Sequence, residues 1–116
     1  MRLQRLVLNG DRLPWRVRCC DTFLQRARGL LGAPQLERQW VWRLRPCNAV
    51  HTLFLNAPID VVFCDAAGGV LRIVAPLRVR CWAGRDAADS AWEFPAGVAA
   101  QLALRCGDRL TLCEWR

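Results

Sequence analysis

The sequence predicts a mostly β domain, a β-rich α+β fold made as a compact sandwich or partly closed barrel. About eight short strands and two short helices are expected. Three observations carry this. Short runs of β-branched, aromatic and leucine residues recur every 8–12 residues or so. Turn formers such as Asn9-Gly10-Asp11, Gly68-Gly69 and Gly107-Asp108 separate them. Apolar residues make up 53% of the chain, which supplies a core and argues against disorder. With 116 residues, one domain spanning 1–116 is expected.

The elements follow in order. Leu3 to Leu8 and Leu13 to Cys19 flank Asn9-Gly10-Asp11, a hairpin signal because both central residues of a type I′ turn need positive φ. Trp15, Val17 and Cys19 alternate with Arg16 and Arg18, so the second strand has one wet face. Asp21-Thr22 offers an N-cap to a short helix over Phe23 to Leu31, with Gly32 as its stop. Trp40 to Leu44 alternates as a strand. Val50 to Leu55 and Ile59 to Cys64 read as two more, joined by Asn56-Ala57-Pro58. Val70 to Ala75 is a strand that Pro76 interrupts, with Leu77, Val79 and Cys81 as a half-exposed continuation. Ala83 to Ser90 reads as a surface loop, and Ala91 to Phe94 as a short extended piece before Pro95. Val98 to Leu104 is the second short helix and Arg109 to Trp115 the last strand. The core should draw on Val17, Phe23, Leu30, Leu53, Val61, Phe63, Val70, Ile73, Leu102 and Leu110.

Composition limits the function classes. No apolar run approaches the ~18–20 residues of a membrane span. The first residues hold only a short apolar piece, cut off by Asn9-Gly10-Asp11, so no signal peptide is read and a cytoplasmic location is expected. Seven cysteines is an odd number, and the reading is reduced, mostly buried thiols. The net charge of +7 comes from arginine with no lysine. The arginines are scattered, without a run of like charge, which argues against specific nucleic-acid binding. The six tryptophans are dispersed too, so core and rim positions are expected rather than a stacking platform.

The stretch Pro46 to Asp65 concentrates the chemistry. It holds the one histidine, His51, and Asp60 set inside an apolar run. A buried polar group left unpaired costs roughly 1–3 kcal/mol, so these must be satisfied or must act. Cys47 and His51 are four apart, but structural zinc wants four ligands with paired short spacings, and no Cys-x-x-Cys occurs. No metal and no cofactor is expected. A Cys–His nucleophile needs a thiol beside an imidazole oriented by a third group. Cys47 or Cys64, His51 and Asp60 are the available parts, without a nucleophile signature around them. The structural alternative is that His51 and Asp60 face each other across paired strands, or that Asp60 caps backbone N–H groups of the loop before it. Arg28 is a candidate clamp for an anion or a partner of Glu37, and Glu93 reads as an edge-strand carboxylate.

Several blocks then carry a resemblance. They are Thr22 through Gly32, Val50-His51-Thr52, Pro58-Ile59-Asp60-Val61-Val62-Phe63, Gly69-Val70-Leu71, Glu93-Phe94-Pro95-Ala96-Gly97 and Gly107-Asp108-Arg109-Leu110. Their order resembles the domain of unknown function 192 family over roughly residues 20 to 112. Leu55 stands where this branch usually has methionine, and Gln25 where it usually has an acid. The resemblance implies a small, mostly β domain with one or two short helices and brings no established activity. The Cys47…Val50-His51-Thr52 form looks like the bacterial branch often met beside genes for tight-adherence pilus assembly. The functional expectation is a small binding or accessory module for an unknown small ligand or protein, with no oligomeric state implied. Cys47, His51, Thr52, Asp60, Arg28 and Glu93 are its polar lining or structural cluster, and no residue is assigned as catalytic. The alternative is a small enzyme using a cleft of His51, Asp60 and Cys47.

Overall fold

The computed structural model describes residues 3–20, 40–53, 55 and 57–115, with nine strands and one helical turn among them. β1 (Leu3–Leu8) and β2 (Asp11–Cys20) form the expected hairpin. Asn9 and Gly10 have φ of 50° and 88°, the left-handed pair that a type I′ turn needs. β3 (Trp40–Leu44) pairs parallel to β2, with Arg16 opposite Trp40 and Arg18 opposite Trp42. A parallel pair needs a crossover rather than a tight turn. Residues 21–39 link these two strands, and the helix expected over Phe23 to Leu31, with Arg28, lies outside the described residues.

β5 (Ile59–Cys64) and β8 (Ser90–Pro95) fill the middle of the sheet, with β6 (Val70–Leu77) and β9 (Leu110–Glu114) at its edges. The strand order is β6-β5-β8-β3-β2-β1-β9. The short piece expected at Ala91 to Phe94 is therefore a central strand, and Glu93 is not at an edge. Both of its faces are covered, so Ser90 through Phe94 are all buried. Pro76 does not end β6, because it sits at a register shift on an edge strand, where no ladder N–H is required of it. The two edges meet at one point. Gly69 bridges Arg109, and Leu110 donates its N–H to the Gly68 carbonyl at 2.9 Å. Gly68 has φ of 89°, and a Cβ there would sit 2.2 Å from the Leu110 carbonyl oxygen. Away from that seam the sheet is not closed into a barrel.

One face of the sheet packs a core of Leu6, Trp15, Val17, Val41, Val62, Trp92, Phe94 and Leu110, roofed by the single turn α1 (Val98–Gln101). Across the other face of β5 and β8 lies a two-stranded flap, β4 (Ala49–His51) with β7 (Trp82–Gly84). It buries Val50 against Ile59, Val61 and Phe63. The strand expected over Val50 to Leu55 stops at His51, and the expected loop from Ala83 supplies half of the flap. Leu53 is 41% exposed rather than core, because the chain has already left the ladder there. No described helix is long and apolar enough to cross a membrane.

Candidate functional site

Thr52 shows why β4 is short. Its hydroxyl donates to the Arg78 carbonyl and accepts the Cys81 N–H at 3.0 Å. Its own N–H reaches the Cys81 carbonyl at 2.9 Å, and its carbonyl accepts the N–H of Arg80 and Leu55. Every hydrogen-bonding group of this fully buried residue is spent on tying residues 78–81 to the chain leaving β4. Val50 turns toward the main sheet, so His51 turns away from it. Its ring lies 4.7 Å from that of Trp82, and Nδ1 accepts the Leu53 N–H at 3.3 Å. The Cys47 thiol donates to the Ala49 carbonyl.

Asp60 lies on the opposite side. It shares the inward parity of Val62 and Cys64, and its Oδ2 accepts the N–H of Gly97 at 3.0 Å and of Ala99 at 2.9 Å. It pins the backbone entering α1, so the expected contact with His51 does not form: β4 pairs with β7, and the main sheet stands between the two side chains. Asp60 therefore does not orient the His51 imidazole. The Cys64 thiol is no nucleophile either, since burial, with Asp65 as the smaller cause, pushes it up to about 12. Glu93 is completely buried on the other parity, between Trp42 and Val61, and neither carboxylate oxygen has a hydrogen-bond partner among the described residues. Burial alone pushes its pKa up to about 8. A cavity of about 170 Å³ opens near the seam, lined by Arg43, Arg45, Asp65, Asp89, Ser90 and Trp92 among others. Arg45 and Asp89 pair across it at 2.6 Å, and none of Cys47, His51, Thr52, Asp60 or Glu93 lines it.

The feature that sequence reasoning missed lies on the outer face of β1, β2, β3 and β9. Trp15, Val17 and Cys19 take the core side of β2, so Arg16 and Arg18 point out; Val41 does the same for Trp40 and Trp42. Parallel register then sets each arginine directly opposite a tryptophan. The Arg18 guanidinium lies 4.4 Å from the Trp40 ring and 5.5 Å from Trp42. Arg16 lies 5.6 Å from Trp40 and 5.1 Å from Trp115, and Arg5 is 5.2 Å from Trp115. All are within the ~6 Å reach of a cation–π contact. Arg16 is exposed, while Arg5, Arg18, Trp40 and Trp115 are half-buried. The outward positions of β2 and β3 carry no acid. The signal was there as two alternating segments, but their adjacency depends on the crossover.

The family model for domain of unknown function 192, described as an uncharacterized ACR, matches residues 5–112. The chain belongs to this family. Relatives of the domain of unknown function 192 protein include a UPF0127 protein of Pyrococcus furiosus, 30% identical over 94% of this chain and 94% of its own. A UPF0127 protein of Thermococcus sibiricus is 30% identical over 82% of this chain, which spans 64% of that relative's length. Two solved structures share the fold. A protein of unknown function from Novosphingobium aromaticivorans matches at TM-score 0.80 and 19% identity, covering 94% of this chain and 84% of its own. A Sinorhizobium meliloti protein proposed to be a transcription regulator matches at TM-score 0.82 and 18% identity, covering 95% and 93%. The family is uncharacterised, so no established activity comes with membership, and both named UPF0127 relatives are archaeal. For this member of the family, the sites must be read from their own geometry.

Proposed function

We propose that this domain is a binding module for an anionic partner, and that its contact surface is the arginine–tryptophan face of β2 and β3. One observation carries the reading. Arg16 and Arg18 stack on indole rings and donate no hydrogen bond to any described residue, so two forks of five N–H donors each are held in place with their polar edges unspent. A stacked guanidinium has already lost much of its rotamer freedom, so less entropy remains to be lost when an oxyanion docks. By contrast, the polar groups of the central stretch are engaged with backbone, as a scaffold requires. A cytoplasmic setting is part of the proposal, supported by seven cysteines that carry thiols rather than disulfides. An envelope or pilus role would be one use of such a module, and it rests on the resemblance of the Val50-His51-Thr52 block alone.

The test is a titration with inorganic polyphosphate followed by tryptophan fluorescence. Wild type should bind, more weakly as salt rises, and Arg16→Ala/Arg18→Ala should lose most of the affinity. Arg85→Ala/Arg105→Ala removes the same charge from exposed positions off this face and should change little. Equal losses for both pairs would leave net charge, not the face, as the cause.

A further inference from the structure

We infer that the partner this face fits is a single strand of nucleic acid, bound without regard to sequence; the inference rests on the anion-binding reading above and names its substrate class. Arg16 and Arg18 lie two residues apart on one side of a strand, about 6.6 Å along its axis. That repeat is on the scale of successive phosphates in an extended polynucleotide. Two fixed forks at that interval suit a chain carrying one anionic group per unit.

The flat groups decide between anionic chains. Trp115, Arg16, Trp40 and Arg18 form one continuous succession of planar side chains that reach solvent, backed by the buried Trp42 and with Arg5 on its flank. Nucleobases stack on aromatic rings and on guanidinium planes alike. An acidic peptide offers carboxylates but no rings, and would use the charges while leaving the planes idle. A duplex offers phosphates but keeps its bases stacked on one another. A broad sheet face also does not enter a groove, whereas single strands are commonly laid across such surfaces. The net charge of +7 adds long-range attraction for a polyanion. The scatter of arginines in sequence argues against specific nucleic-acid binding; the β1–β2 hairpin sets Arg5 opposite Arg16, so three of them share one surface.

The measurement is fluorescence titration of the whole chain with a dT oligonucleotide, a duplex of equal length, inorganic polyphosphate and poly-glutamate, each at several salt concentrations. The dT strand should bind tightest, at least about tenfold tighter than polyphosphate, since stacking adds to phosphate contact. Arg16→Ala/Arg18→Ala should flatten the slope of log K against log salt by about 1.4, two single-strand phosphate contacts. Arg16→Lys/Arg18→Lys should keep the slope while weakening dT binding more than polyphosphate binding. Trp40→Phe shrinks the plane while keeping a ring and should weaken dT binding more than polyphosphate binding, with thermal melts of every variant to check folding. Polyphosphate binding as tightly as dT would overturn the nucleic-acid inference and leave the anion-binding face standing. Poly-glutamate or duplex binding tightest would do the same and name the other partner. No binding of any probe would overturn both.

Discussion

Asp60 and Glu93 are neighbouring acids in one sheet, and their surroundings handle them in opposite ways. Asp60 sits on β5 opposite Phe94, and Glu93 on β8 opposite Val61, one step along the ladder and on opposite faces. Both are buried, at 1% and 0% exposure. Asp60 meets two backbone N–H groups where the chain enters α1; Glu93 meets indole and aliphatic surface and no donor. Burial depth alone therefore does not set how a carboxylate is accommodated; the supply of donors does. Asp60 is spent on holding the backbone entering α1, while burial without a donor raises the Glu93 pKa and favours its neutral form.

The widest test of that contrast is pH. Burial raises the Glu93 pKa from 4.5 to about 8 in the folded protein. The folded state then binds more protons than the unfolded chain between those values. Stability is accordingly full below about pH 4.5 on this group's account and falls as pH rises toward about 8, by up to roughly 4–5 kcal/mol. Denaturant melts from pH 5 to 9 should show the decline, and Glu93→Gln should flatten it. A wild-type profile that rises or stays level across that range would mean Glu93 finds a donor in solution.

Next in size is Asp60→Ala, which orphans the N–H groups of Gly97 and Ala99. It should cost about 1–3 kcal/mol, read as a lower denaturation midpoint. If the midpoint is unchanged, the α1 entry holds without its acid and the contrast with Glu93 loses one side. Thr52→Val supplies a neutral control, a buried polar group with partners on both sides. Losing the Arg78 and Cys81 contacts should cost about 1–2 kcal/mol, equal at pH 5 and pH 9. The smallest effect belongs to the basic face. Arg16→Ala/Arg18→Ala should alter stability by no more than about 1 kcal/mol per arginine, because cation–π contacts open to solvent on one side are weak individually. A larger loss would make those arginines part of the scaffold rather than a surface held ready for a partner.

Much of the fold was legible because its causes are local. Asn9-Gly10 encodes its own turn, the alternation in β2 encodes its wet face, and Ile59 to Cys64 reads as a strand from its β-branched run. What escaped depends on contacts far apart in sequence. His51 and Asp60 sit on consecutive elements, so a hairpin pairing was the natural expectation; the Thr52 hydroxyl, reaching residues 78–81, diverts the chain instead. Glu93 looked like an edge residue because Pro95 follows it, yet proline at the strand's end leaves the preceding positions free to pair on both sides. The Arg16–Trp40 and Arg18–Trp42 oppositions were the least legible, since they arise from a parallel pairing between segments distant in sequence. Of the candidate site, the residue types were visible and the neighbours were not.

The seam at Gly68 has a consequence beyond this molecule's own packing. An open seven-stranded sheet presents two unpaired ladders, and such ladders invite strands from other chains. Here β6 and β9 occupy part of each other's edge because Gly68 lets the turn approach Leu110 closely. Any side chain at that position would push the edges apart, and φ of 89° already disfavours one. Gly68 thus guards the open edges against strands of other chains: a Gly68→Val chain should elute from a sizing column at a larger apparent size than the native chain at equal concentration.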